Sequence, residues 1–307
     1  MTRQWAADIF ITEKLVRSLL QEQFPELTPM KVKPFGEGWD NALFLVNDLY
    51  VFRFPRRSIA VELLEMENRL LPSLAQLLPL PIPNPQLIGR PTENYPFVFA
   101  GYQRLQGTVS YVMKLTEETR AKSAVPWARF LRALHSVSVE DALQWGIAAT
   151  DQIGRMDVDK RRPLYITKVQ EAYETGLIGD PKPLLRVLDD LPDTVDVQSR
   201  ANNVVVHGDL NFRNFLLDGE GVLCGVIDWG DAHIGHSAVD LSVIYSFLPL
   251  QAREEFFKVY GAVDSETLHL AKFRALYTNL VILLYANDIG HLEQVHEAKR
   301  ALRLALS

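Results

Sequence analysis

Two periodicities alternate along the chain. Behind Thr12, whose hydroxyl can cap a helix, Leu15, Leu19, Leu20 and Phe24 recur at helical spacing. The pattern then shortens: residues 31–36, 42–46 and 50–54 predict strands, with Asn47-Asp48 as a turn. Residues 58–78, dense in Leu and Glu, predict a helix, and prolines at 79, 81, 83 and 85 end it. Residues 97–105 predict one more strand. Beyond it, 116–137 predicts one long helix with a restart at Pro126, and 160–175 and 183–190 predict further helices. Three apolar runs follow, at 204–206, 215–217 and 222–227. Asp218-Gly219-Glu220-Gly221 separates the last two with turn chemistry, which predicts a hairpin. From 238 onward the chain reads as mostly helical. This order predicts an α+β protein: a small antiparallel β lobe over 1–105 and a larger, mainly helical lobe over 106–307 with a hairpin embedded in it.

Composition narrows the setting. A chain of 307 residues, 48% hydrophobic, is long enough for two lobes. The single cysteine, Cys224, excludes an intramolecular disulfide and a cysteine-based zinc site, and its place in a predicted strand suggests a buried thiol. The first 23 residues are charged and amphipathic, unlike a signal peptide. The apolar stretch at 280–284 falls short of the roughly 18 residues that a membrane span needs. The chain reads as cytoplasmic, without a membrane partner. A net charge of −6 disfavours nucleic acid as a partner.

The chemistry concentrates in VVVHGDLNFRNFLLDGEGVLCGVIDWGD, residues 204–231. Asp209 follows His207 by two, Asn214 lies five further on, and Asp228 closes the second apolar run of the hairpin. Phosphoryl transfer needs these groups. A carboxylate (Asp209) orients and deprotonates the attacking hydroxyl, and an amide oxygen (Asn214) and a second carboxylate (Asp228) hold Mg²⁺ on nucleotide phosphates. His207 reads as a scaffold residue for the loop. Asp231, three residues past Asp228, is expected either to line the acceptor cleft or to cap a local turn. His135 reads as a core or helix-end residue. His291 and His296 are five apart, which does not suit a helical metal pair.

This segment resembles the catalytic core of the aminoglycoside phosphotransferase family, which shares the protein-kinase-like fold and carries H-G-D-x-x-x-x-N followed by I-D-[WF]-x-[DE]. Protein kinases use H-R-D at the same spacing and then D-F-G; Gly208 and Trp229 favour the small-molecule branch. The resemblance extends upstream, and what it implies there is as follows. Gly36-Glu37-Gly38-Trp39-Asp40-Asn41 would cover the nucleotide phosphates, without the third glycine of G-x-G-x-x-G. Arg53 stands where the family has a phosphate-gripping Lys, as in some macrolide-phosphorylating members. Glu67 would be its acidic partner, with Glu62 and Glu65 as competitors. Residues 99–107 match the hinge strand, so backbone groups of Gln103 and Leu105 would face the base. Tyr102 would occupy the gate before the hinge, favouring GTP, or would turn into the core. His236 and Ser237 replace an Asp and a Pro of the family's last box, and Asp240, retained, would cap or anchor the next helix.

The resemblance therefore implies a bilobal protein-kinase-like fold, with a nucleotide-binding lobe and hinge over 1–105 and a lobe carrying the catalytic loop and acceptor site over 106–307. It implies Mg²⁺-dependent transfer of a γ-phosphoryl group from ATP or GTP to a hydroxyl of a small molecule, of aminoglycoside-like or macrolide-like kind, by a monomer or weak dimer. Two alternatives stay open. One is a kinase of an ordinary metabolite of the sugar, choline or homoserine class. The other is a non-catalytic nucleotide-binding module, motivated by Arg53 and His236.

Overall fold

A computed structural model describes residues 8–38, 40–192 and 203–307, with only the backbone at residue 37. Two compact units divide the chain: one runs to Gln76 and takes in Pro81–Leu105, and the other takes in Leu77–Leu80 and Gln106–Ser307.

The first unit opens with α1 (Glu13–Gln23), capped by the Thr12 hydroxyl, which accepts from Leu15 N at 3.2 Å. Strands β1 (Val32–Glu37), β2 (Asn41–Val46) and β3 (Tyr50–Pro55) form an antiparallel meander. Helix α2 (Ile59–Leu77) follows, then β4 (Leu87–Gly89) and β5 (Phe99–Gln103). The five-stranded sheet has the order β1-β2-β3-β5-β4. One face is built from aromatics, because alternate residues of each strand point the same way. Phe52, Phe54 and Phe99 are fully buried there with Phe24 and Phe44, and the Phe54 and Phe99 rings stack 4.7 Å apart. Gly101 has no side chain because the Phe52 ring fills that space: a Cβ would meet it at 2.5 Å. The other face carries Arg53, directly opposite Ala100, and Tyr102, opposite Val51.

The second unit begins with β6 (Thr108–Val109), α3 (Glu117–Ala121), α4 (Ala124–His135), α5 (Val139–Gln144), α6 (Val158–Glu174) and α7 (Lys182–Arg186). Strands β7 (Asn203–Val206), β8 (Phe215–Leu217), β9 (Leu223–Val226) and β10 (His233–His236) come next. Helices α8 (Ala238–Phe247), α9 (Leu250–Tyr260), α10 (Ser265–Asp288) and α11 (Leu292–Leu306) complete the chain. Strands β8 and β9 make the hairpin, and Asp218 Oδ1 closes its turn by accepting from the N–H groups of Glu220 and Val222, both at 2.9 Å. Trp127, Phe215 and Phe247 pack edge to face at 5.2 and 4.9 Å, joining α4, the hairpin and α8. Almost every residue of α8 is buried, which its lack of a polar stripe allows.

The single helix expected over 116–137 is two helices. The break falls at Lys122 and Ser123, and Pro126 lies in the first turn of α4, where a missing N–H costs nothing. The strand expected over 97–105 is shorter, and β4, β6 and β10 carry too few apolar residues to have been read as strands. Cys224 is half-buried rather than buried, because β9 alternates and its Sγ points toward the Gln106 carbonyl at 3.4 Å. Among the described residues, no helix is long and apolar enough to cross a membrane.

Candidate active site

In the second unit, β7 delivers His207, Gly208 and Asp209 to the loop before the hairpin. Both backbone donors at the head of this loop end on one carboxylate. Asp240 Oδ2 accepts from His207 N at 2.7 Å and Asp240 Oδ1 from Gly208 N at 3.0 Å. Asp240 lies in the first turn of α8 and is fully buried, and His135 Nε2 approaches it at 3.4 Å. It holds the His207–Asp209 loop rather than capping its own helix, whose N-cap is Ser237. Burial alone would raise its pKa, but hydrogen bonding and charge from His135, with His207, hold it below the ordinary carboxylate range.

His207 is a scaffold. Its Nε2–H donates to the Ile227 carbonyl at 2.9 Å, which leaves Nδ1 to accept from Asp209 N at 3.3 Å, and its ring packs 4.7 Å from the buried Trp229. Gly208 has φ +89°, and any Cβ there would run into the Asp231 carbonyl. An arginine cannot occupy this position.

Asp209 is gripped on one side. The amides of Asn214 and Asn211 donate to Oδ2 at 3.0 and 3.1 Å and to the main-chain oxygen at 2.8 and 3.0 Å. The carboxylate keeps 31% of its side-chain surface open to solvent. Burial, then the charges of Asp231 and Asp228, push its pKa up to about 6, against the pull of Arg274 and His207. Because the Asn214 Nδ2 faces Asp209, its Oδ1 turns the other way. A backbone bond from Ile227 N to Asn214 O, 2.9 Å, brings Asp228 beside it. Asp228 has φ +66°, a left-handed conformation uncommon outside glycine, of the kind that collects at functional sites.

No group of three His, Cys, Asp or Glu side chains among the described residues is arranged to hold a metal alone. Mg²⁺ does not require one: it takes one or two protein oxygens, phosphates and water. The amide oxygen of Asn214, which accepts no hydrogen bond among the described residues, and the Asp228 carboxylate form a hard oxygen donor set of that kind.

Asp231 is half exposed. One of its oxygens pairs with the buried Arg155 Nη2, whose Nη1 binds Asp151 at 2.6 Å. Its carbonyl accepts from His233 Nδ1 at 2.8 Å. Arg274, from α10, lies 3.8 Å from Asp209 Oδ1. Sequence reasoning missed Asp151, Arg155 and Arg274, which belong to no motif; the first two come from the α5–α6 connection and the third from α10.

In the first unit, Arg53 Nη1 donates to both carboxylate oxygens of Glu67 at 2.8 Å. The partner is Glu67, not Glu62 or Glu65. With its amide oxygen turned inward, Asn41 accepts from Arg53 Nη2 and Nε at 3.1 and 3.2 Å. The turn at 38–41 closes through Gly38 N to Asn41 O, 2.9 Å, with Arg57 bound to Asp40 at 2.8 Å. Trp39 lies outside the described residues. Tyr102 is half-buried, Gln103 is exposed at the end of β5, and Leu105 is partly buried two residues beyond.

Residues 31–276 match the family model described as the phosphotransferase enzyme family. The chain belongs to that family. As a phosphotransferase, it shares its fold with several solved structures. The GDP and kanamycin complex of APH(2")-IIia is 23% identical over 94% of this chain and 97% of that one, with a TM-score of 0.65. The apoenzyme of macrolide 2'-phosphotransferase MphH from Brachybacterium faecium is 21% identical over 89% and 91%, TM-score 0.56. The streptomycin–ATP–APH(2")-IIa ternary complex is 18% identical over 96% and 97%, TM-score 0.58.

Proposed function

We propose that this phosphotransferase moves the γ-phosphoryl group of ATP or GTP to a hydroxyl of a small molecule, with Mg²⁺, as a cytoplasmic monomer or weak dimer. The observation that carries this reading is the grip on Asp209: two amides fix Oδ2 and leave Oδ1 without a hydrogen bond among the described residues, on a side chain that is 31% exposed. The acceptor hydroxyl gives its proton to that carboxylate as its oxygen bonds the γ-phosphorus, and the bond to the β-phosphate oxygen breaks, releasing the nucleoside diphosphate. Asn214 and Asp228 would hold Mg²⁺, which offsets charge on the phosphates when bound. Arg53, fixed by Glu67 and Asn41, is assigned to the phosphates, and the backbone of Gln103 and Leu105 to the base. We assign residues 1–105 to nucleotide binding and 106–307 to catalysis and the acceptor.

The neighbours' aminoglycoside complexes and the macrolide phosphotransferase among them make an aminoglycoside-like or macrolide-like antibiotic the first acceptor to test, with Asp231 on the acceptor side. A second reading, a kinase of an ordinary metabolite, is favoured by a specific observation: Arg155 already neutralises Asp231, and Arg274 adds positive charge beside Asp209. Nucleoside triphosphate consumption against a panel of hydroxylated antibiotics and metabolites, with Asp209→Asn as control, tests the function. Consumption that needs no acceptor, or that survives the substitution, counts against it.

A further inference from the structure

Arg274 is 8% exposed, yet it makes no hydrogen bond among the described residues. Its one ion pair, to Asp209 Oδ1 at 3.8 Å, is too long for a hydrogen bond. The neighbouring arginines differ. Arg155 is held between Asp151 and Asp231. Arg161 donates to the carbonyls of Gly154 and Ile153 at 2.7 and 2.6 Å and lies over the Tyr277 ring at 5.4 Å. Of these three arginines, only Arg274 makes no hydrogen bond to protein among the described residues, and none of its guanidinium nitrogens is sealed from solvent, so its fork of donors is open to a ligand.

Its position says what would fill that fork. A guanidinium serving only as counter-ion to Asp209 would close to a paired contact of roughly 2.7–2.9 Å. Arg274 instead stands off, on the Oδ1 side. The candidate metal residues are on the other side: Oδ2 is the oxygen tied to Asn214, whose amide oxygen belongs to the metal set. The acceptor hydroxyl approaches the open oxygen, so Arg274 borders the acceptor. A guanidinium fork matches carboxylate and phosphate best.

We propose that Arg274 is an acceptor-binding residue that takes a carboxylate or phosphate carried by the acceptor close to its reacting hydroxyl. This rests on the phosphotransferase reading and narrows its acceptor to hydroxy acids or phosphorylated polyols. A polycation would instead meet Arg274 directly.

Calorimetric titration of the Mg²⁺- and nucleotide-loaded protein decides it, using glycerate, glycerol phosphate, glycerol and 2-amino-1,3-propanediol. One of the two anions should bind at least about tenfold more tightly than glycerol, and the amine more weakly. Arg274→Met should erase that preference and Arg274→Lys should keep part of it. Anions no tighter than glycerol, a preference for the amine, or an anion preference that survives Arg274→Met overturns the proposal. Should Arg274→Met not fold, the wild-type ranking and Arg274→Lys still decide. Had Arg274 served the transferring phosphoryl group instead, Arg274→Met would slow every acceptor alike and leave the anion preference intact. Nucleotide consumption is read separately. None with any acceptor sinks the phosphotransferase reading, whereas consumption favouring neutral or cationic acceptors sinks only this one.

Discussion

Asn214 Nδ2 donates both to the main-chain oxygen of Asp209, at 2.8 Å, and to its Oδ2, at 3.0 Å. One amide thus fixes where the carboxylate stands and which oxygen is left without a hydrogen bond. Asn211, midway between the two, repeats the contact.

Asp209→Asn removes the proposed base but keeps a side chain of the same shape. Turnover is expected to fall at least about 10²-fold, with melting temperature and nucleotide affinity close to wild type. Steady-state kinetics with any accepted substrate checks this. A variant within about threefold of wild-type turnover would remove Asp209 from the mechanism.

Asp228→Ala should abolish the tightening of nucleotide binding by Mg²⁺, because one of the two protein oxygens proposed for the metal is gone. Calorimetry with and without Mg²⁺ gives the answer. Equal Mg²⁺ enhancement in variant and wild type would show that the metal is held elsewhere.

Glu67→Ala strands a guanidinium whose side chain is 12% exposed. Breaking a buried pair from one side costs about 3–5 kcal/mol, and the contact to Asn41 holds the loss toward the lower end. Urea denaturation should show this, together with a weaker nucleotide affinity. A loss below about 1 kcal/mol would mean that the pair is replaced by solvent.

Asp240 gives a pH dependence. Its folded pKa lies below the ordinary value of 3.8, so the folded state binds fewer protons than the unfolded one near that value. Stability from this group is present above the unfolded pKa and is lost as pH falls through the folded one. Denaturation midpoints taken from pH 7 down to pH 3 should drop less steeply for Asp240→Asn than for wild type, from a lower starting stability. Parallel slopes would assign the acid sensitivity to other carboxylates.

Tyr102 shares a sheet face with Arg53 and is half-buried. If its ring restricts the adenine position, GTP is preferred and Tyr102→Ala moves the ratio of kcat/KM values toward ATP. An ATP preference in wild type, or a ratio that does not change, rejects the gate.

Short-range chemistry was legible in the sequence. The hairpin could be read because Asp218 to Gly221 spells its own turn, and the Asp209–Asn214 spacing fits inside one loop. Groups assembled from distant segments were not. Arg155 and Arg274 are separated from Asp209 by 54 and 65 positions, and no local pattern marks an arginine that will be buried. Asp240 was visible as a residue but its job was not, since a carboxylate in the first turn of a helix ordinarily serves that helix. His233, Gly235 and His236 hid β10, because histidine and glycine carry little strand signal and the paired residues, Asn203–Val206, lie 27 to 33 positions earlier.

The Asp240 anchor also sets how the loop moves. Its two hydrogen bonds to His207 and Gly208 come from the most buried helix of the second unit, so those two amides cannot meet solvent by a loop fluctuation alone. Their hydrogen exchange should require α8 to come apart and should be as slow as that of the helix interior. The Asp209 carboxylate is then held by a stretch of backbone that keeps the lifetime of the core while lying at the edge of solvent.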